Sequence, residues 1–303
     1  MIVDCCTYTW EATARLGRGI AAADQPTRIA TCPDKPAATR TGGTGVGQHL
    51  EAAEPVDTSI VLGFKSAYLD AEISNDEVSA YVRAHPDKLI GFAGIDPANP
   101  KEAIAELKHA KSALGMRGVG VAPAAQDFHP TNSQAMVVYG EVADAGLPVL
   151  FHTGVQISAS TKLEYARPVL LDEVARELPR LKIVIAHMGY PWAAETIVML
   201  AKHANVFAEI SWLLHQPWQA YQTLLSAHQY GVTHKLLFGS GFPASSPSAC
   251  IEALYSINHM VHGTNLPVIP RESLRGIVER DALGLLGIAP MQAPEPSTTS
   301  DGD

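Results

Sequence analysis

GLPVLFHTG (residues 146–154) and LKIVIAHMGYP (residues 181–191) decide the fold. Each is a continuous apolar run closed by a histidine, with a glycine two residues further on. Runs that are apolar throughout, rather than alternating, belong to strands covered on both faces, as a parallel sheet requires. Working outward from these two, strands are predicted at residues 2–6, 58–62, 89–95, 116–121, 148–152, 182–187, 206–210 and 235–239. The intervening stretches read as helices. SNDEVSAYVRAHP (residues 74–86) opens on Ser74 as N-cap with Glu77 three residues later and stops before Pro86. ANPKEAIAELKHAKSALG (residues 98–115) places Pro100 in its first turn and Gly115 past its end. Eight such repeats predict an α/β protein, a closed (β/α)8 TIM barrel rather than an open doubly wound sheet. The barrel is expected over residues 1–288, with a long loop or lid at 11–46, a closing helix at 271–286 and a disordered tail at 289–303.

Bulk chemistry narrows the partners. The chain has 31 acidic against 22 basic residues, a net charge of −9, and no cluster of Lys or Arg, which argues against nucleic acid and anionic membrane. Hydrophobic residues make up 47% and charged ones 17%, the balance of a soluble globular protein with a large core. Cys5, Cys6, Cys32 and Cys250 contain no C-x-x-C pair, which fits a reducing compartment. No basic segment precedes an apolar one at the start, and no apolar run reaches the ~18 residues of a membrane span. A cytoplasmic protein acting on a small-molecule metabolite is expected.

In a barrel of this kind, chemistry lies at the C-terminal strand ends. His152 and His187 occupy equivalent ends, and they converge on a metal, act as a general base, or serve as core histidines. Glu209, Trp212 and His215 follow the seventh strand and either line a pocket for a planar substrate or cover the barrel end. TGGTGVG (residues 41–47) lacks a preceding buried strand and a Gly-Lys-Ser/Thr, so it reads as loop, not phosphate cradle. Asp4 is assigned a structural place in the first strand. Thr131 or Asn132 is expected to cap a helix, and Asp281 to cap the last one.

The ordered set GFAGIDPANP, MRGVGVAPAAQDFHPTN, GLPVLFHTG, LPRLKIVIAHMGYPW, NVFAEIS, KLLFGSGFP and IVERDALGLLGI resembles the amidohydrolase-related family across residues 2–288. The branch in question includes aminocarboxymuconate semialdehyde decarboxylase and benzoate-type decarboxylases. The resemblance implies hydrolysis or non-oxidative decarboxylation of a small cyclic or carboxylated metabolite, a metal site, and a homodimer. It implies a metal ligand at His152 and a catalytic or ligating histidine at His187. The family's His-x-His in the first strand is replaced by Cys6 and Tyr8, and its Asp in the eighth strand by Gly241. Its Lys and His in the fourth strand are Gly120 and Ala122.

The usual metal-dependent mechanism is therefore not expected. One reading is an altered-site enzyme built on His187, His152, Cys6 and Tyr8, metal-free with a histidine base and a Cys6 nucleophile. Metal-independent hydrolysis is known in the wider superfamily. A variant of that reading places zinc at a rebuilt Cys6, His152 and His187 site. The other reading is a pseudoenzyme that binds a metabolite or pairs with a related active barrel.

Overall fold

The computed structural model describes residues 1–9, 46–154 and 160–289. Cys32, nearly all of the predicted 11–46 loop and the tail beyond Ala289 lie outside those residues. Ten strands are described: β1 (Val3–Thr7), β2 (Thr58–Leu62), β3 (Phe64–Ser66), β4 (Ala71–Ile73), β5 (Leu89–Gly94), β6 (Gly118–Val121), β7 (Val149–Phe151), β8 (Ile183–Ile185), β9 (Val206–Glu209) and β10 (Leu236–Leu237). Eight of them form one sheet in the order β1-β2-β5-β6-β7-β8-β9-β10, every pair parallel. The edges meet: Cys5 N–H donates to Phe238 O, Gly241 N–H to Cys6 O and Tyr8 N–H to Phe242 O, each at 2.9 Å. Each of the eight predicted strands is present, so the chain is a (β/α)8 barrel. Closure leaves the eight-stranded sheet without an open edge.

Strand parity sorts the apolar residues into two cores. Ile60, Leu62, Ile90, Phe92, Leu150, Val184, Phe207 and Leu237 pack together inside the barrel. Their neighbours Val61, Leu89, Val149, Ile183, Ile185, Val206 and Leu236 belong to the layer shared with the helices. Covering both faces of each strand explains why the runs are continuous in sequence. Ala282, Leu283, Leu286 and Ile288 join the inner cluster and close one end of the barrel.

Strand β1 breaks the alternation. Its register against β2 slips by one residue between Asp4 and Thr7, the mark of a β-bulge. As a result the adjacent Cys5 and Cys6 both enter the inner cluster, where strict period-2 geometry would send them to opposite faces.

Local signals mostly hold, with exceptions. Asn132 caps the helix Ser133–Asp144 by accepting from Gln134 N–H, and Asp281 caps Ala282–Leu286 through Gly284 N–H. Ser74 occupies the N-cap of Asn75–Ala84 without a side-chain capping bond. The single closing helix expected at 271–286 is two, Arg271–Val278 and Ala282–Leu286, because Asp281 starts a second one. Two elements were not expected from sequence: the helix Val46–Ala52, and the antiparallel hairpin of β3 and β4. Among the described residues, no helix is long and apolar enough to cross a membrane.

Candidate active site

Strand direction places Cys6 and Tyr8, His152, His187, Glu209, Trp212 and Gly241 at or just past the C-terminal ends of β1, β7, β8, β9 and β10. β8 ends at Ile185, two residues before His187. The chain then turns through two consecutive left-handed residues, His187 (φ 56°) and Met188 (φ 51°). Trp212, after β9, is also left-handed at φ 62°. Non-glycine residues seldom adopt this conformation, and its recurrence here marks backbone held against its preference.

Glu209 holds the His187 turn. Its Oε1 accepts the backbone N–H of His187 at 2.6 Å and the hydroxyl of Ser211 at 2.9 Å; its Oε2 accepts the Ser211 backbone N–H at 2.6 Å. His187 Nδ1 lies 2.6 Å from Ser211 Oγ and 3.1 Å from Glu209 Oε1. Because the Ser211 hydroxyl donates to Glu209, its oxygen accepts from Nδ1–H. The chain Nδ1–H···Oγ–H···Oε1 therefore fixes the ring and, when the ring is neutral, places its lone pair on Nε2. Nε2 is buried and has no hydrogen-bond partner among the described residues. Burial alone pushes the Glu209 carboxyl up, but the neighbouring His187 and the hydrogen bonds from His187 and Ser211 outweigh it, so the group sits below its ordinary 4.5 and is ionised.

Cys6 lies beside this pair. One ligand atom from each of Cys6, His187 and Glu209 falls within 4.8 Å of the other two, and all three residues are buried. Burial first, then the carboxylates of Glu209 and Asp4, push the Cys6 thiol well above its ordinary 9.0; contacts with Ser211 and Tyr8 only partly offset this. Burial and Cys6 likewise raise the Tyr8 phenol well above 10.0, so it keeps its proton at neutral pH. Beneath them Asp4 Oδ1 accepts from Ser240 N–H at 2.8 Å and Cys6 N–H at 3.3 Å.

His152 stands edge-on to His187, ring centroids 4.8 Å apart. Burial, followed by the adjacent His187, pushes it down to about 3, so it is a neutral ring at physiological pH. His152 is not in the group that holds Cys6, His187 and Glu209. The file of rings continues from His187 to Trp212 at 6.3 Å and from Trp212 to His215 at 5.6 Å. His215 Nε2 is also buried and without a partner among the described residues. Gly241 is left-handed at φ 68°, and a Cβ there would stand 3.2 Å from the Ser211 Cβ.

Sequence reasoning picked out Glu209 as a mouth residue, not as the anchor of His187, and it gave Ser211 no role. Glu209 and Ser211 are spaced i, i+2 at a strand end, a spacing that places both on one face. Their engagement with His187 depends on the left-handed turn, for which the sequence carries no signal.

Residues 48–292 match the amidohydrolase family. No curated protein matches the chain. Among solved structures, an uncharacterized TIM-barrel protein from Bordetella bronchiseptica is 23% identical, with a TM-score of 0.71 over 95% of this chain and 98% of that one. A dihydroxybenzoic acid decarboxylase from Polaromonas sp. JS666, with bound manganese and the inhibitor 2-nitroresorcinol, is 15% identical, TM-score 0.63, over 95% and 97%. The 5-carboxyvanillate decarboxylase from Sphingomonas paucimobilis is 14% identical, TM-score 0.62, over 95% and 99%. At these identities the likeness is one of fold.

Proposed function

The chain belongs to the amidohydrolase family, and from that premise we propose that it is a metal-independent hydrolase of a small planar cyclic metabolite, with His187 as general base. The observation that carries this reading is the His187 ring itself. One nitrogen is tied through Ser211 to a buried carboxylate, and the other is buried at the barrel's C-terminal end without a partner among the described residues.

In the proposed reaction a water held at Nε2 loses its proton to the ring as its oxygen attacks the substrate carbonyl. Glu209 then faces the imidazolium and stabilises it, while Nδ1 stays hydrogen-bonded throughout. Tyr8, protonated at working pH, supplies an O–H for the developing oxyanion. Collapse of the tetrahedral adduct returns the proton from Nε2 to the leaving oxygen or nitrogen. His152, Trp212 and His215 form the wall against which a flat substrate stacks. Cys6 is not the nucleophile in this scheme, since burial and the neighbouring Glu209 carboxylate keep it a thiol, whereas an attacking cysteine needs an electropositive setting.

The Polaromonas decarboxylase carries manganese, an ion that prefers oxygen donors. In this chain the corresponding strand ends present a thiol at Cys6, a phenol at Tyr8 and no side chain at Gly241. Glu209 spends its oxygens on His187 and Ser211, and its Oε2 is lodged where a Cβ on Gly239 would lie 2.3 Å away. Those groups do not fit manganese.

The test is a panel of small lactones, cyclic amides and aromatic carboxylic acids assayed with metal-stripped enzyme. Saturable hydrolysis that survives chelation and disappears in His187→Ala supports the reading. Carbon dioxide release from the aromatic acids, or undiminished turnover in His187→Ala, would overturn it. Binding of panel members with no turnover would favour a metabolite-binding pseudoenzyme instead.

A further inference from the structure

We propose that the site takes a flat, uncharged substrate with two polar groups, one read by His187 Nε2 and the other by His215 Nε2, and that it disfavours ring carboxylates. Which of the two groups reacts rests on the function proposed above; the charge selection and the second contact do not.

Two buried nitrogens carry the contacts. Nε2 of His187 and Nε2 of His215 are each buried and without a hydrogen-bond partner among the described residues. Buried polar atoms are nearly always paired, so two orphans in one place mark where a ligand completes the bonding. Both rings pack on the same side chain: Trp212 lies 6.3 Å from His187 at 72° and 5.6 Å from His215 at 56°. A flat ring stacked on Trp212 therefore has both imidazoles as neighbours. With Nδ1–H held by Ser211, neutral His187 offers a lone pair, which calls for a substrate N–H or O–H.

Charge decides the rest. Glu209 is fully buried and ionised, and among the described residues its one ion-pair partner is the His187 ring. Burial lowers His152 and His215 below the ordinary 6.5, so neither brings a positive charge at neutral pH. Gly120 and Gly241 present no side chain at the ends of β6 and β10. The bases that follow β2 and β7 are committed to acids: Lys65 lies 3.7 Å from Glu106, Lys162 lies 3.5 Å from Asp127, and Arg167 pairs with Glu195. A carboxylate brought to His187 would lose its water, face Glu209 and meet no cation among these groups. A carboxamide of the same shape carries no such cost. The carboxylated metabolites that the family resemblance implies are thus the poorer fit.

The experiment is calorimetric titration of metal-stripped full-length protein at pH 7 with three soluble probes. These are 2-pyridone, with one polar edge; 6-hydroxynicotinamide, with two uncharged polar groups; and 6-hydroxynicotinate, in which the second group is an anion. The carboxamide should bind at least about 10-fold more tightly than either of the others. His215→Phe keeps a ring against Trp212 but loses the nitrogen. It should abolish the carboxamide's advantage over 2-pyridone and leave 2-pyridone binding within about twofold of wild type. His215→Gln, which restores a polar group, should regain part of the advantage, and melts show that both variants fold. Carboxylate binding as tight as the carboxamide's, an advantage that survives His215→Phe, or no binding of any probe at millimolar concentration would overturn the proposal. A His215-dependent preference for the carboxamide in a protein that turns over nothing would sink the hydrolase reading and leave the substrate class standing.

Discussion

His187 gives its backbone N–H to Glu209 Oε1 at 2.6 Å, and its ring Nδ1 lies 3.1 Å from that same oxygen. One carboxylate thus fixes both the left-handed backbone and the ring of a single residue. Such double anchoring predicts two separable effects for Glu209→Gln. The amide keeps the shape but sets N–H donors against N–H donors, a cost of about 1–3 kcal/mol in stability. It also removes the charge that faces the imidazolium, and kcat should fall by about 10²–10⁴ with KM little changed. Urea denaturation reads the first and steady-state kinetics the second. A fall confined to stability would make Glu209 a structural cap alone.

Asp4 predicts how stability depends on pH. Burial raises its carboxyl from 3.8 to about 7, against hydrogen bonds from Ser240 and Cys6 that pull it down. Between those two values the folded protein holds a proton that the unfolded chain has lost. The contribution is complete below about pH 4 and is lost as pH rises through about 7. Asp4→Asn, which cannot ionise, should therefore lose less stability than wild type between pH 5.5 and 8. Over that range the difference is at most about 2 kcal/mol, at 1.36 kcal/mol per pH unit up to about pH 7. Parallel stability curves for the two proteins over that range would refute the buried, protonated carboxyl.

His152 acts in the opposite sense and sets the acid limb. Its folded value is pushed from 6.5 down to about 3, so the unfolded chain binds the extra proton. The stability it supplies is present above about pH 6.5 and is lost as pH falls toward 3. His152→Gln should flatten the fall of stability between pH 6.5 and 4, measured by thermal melts at fixed ionic strength. A His152 proton that titrates by NMR near its ordinary value would refute this.

Three thiols should be chemically silent. Burial is the first cause in each case: it raises Cys5 and Cys6 well above 9.0 and pushes Cys250 up to about 12. Iodoacetamide acts on thiolate, so at pH 8 the native protein should be labelled at these sites at least 100-fold more slowly than in urea. Peptide mapping by mass spectrometry gives the rate at each site. Fast native labelling of Cys6 would restore it as a candidate nucleophile.

The barrel was legible because its determinant is local. A strand covered on both faces is mainly apolar, and most of the eight runs carry that signature along their own length. The short hairpin of β3 and β4 has three residues on each side, too few for a pattern to build. The split at Asp281 was half visible, since a capping role for that residue already implies a new helix start. Cys6 stands out in the sequence at a strand end, but the bulge that turns both Cys5 and Cys6 inward depends on register against β2, a relationship across more than fifty residues. The bond network of Glu209, Ser211 and His187 is likewise written in backbone dihedrals and not in residue type.

Gly118 tests the packing that carries all of this. It pairs with Phe92 across β5 and β6, and a Cβ on it would fall 2.5 Å from the ring's Cζ and 2.6 Å from both Cε atoms. The Phe92 ring, 1% exposed, therefore occupies the volume of the missing side chain in the barrel interior. The backbone at Gly118 is not left-handed, so Gly118→Ala carries no conformational penalty and its cost is steric. Displacing a ring in a closed interior costs about 1–3 kcal/mol. Phe92→Leu removes the clash but opens a void of its own. The double variant should then be more stable than the sum of the single losses predicts, by about 0.5–3 kcal/mol. Urea midpoints at constant m-value measure the cycle. Strict additivity would mean that the ring does not fill the space at Gly118.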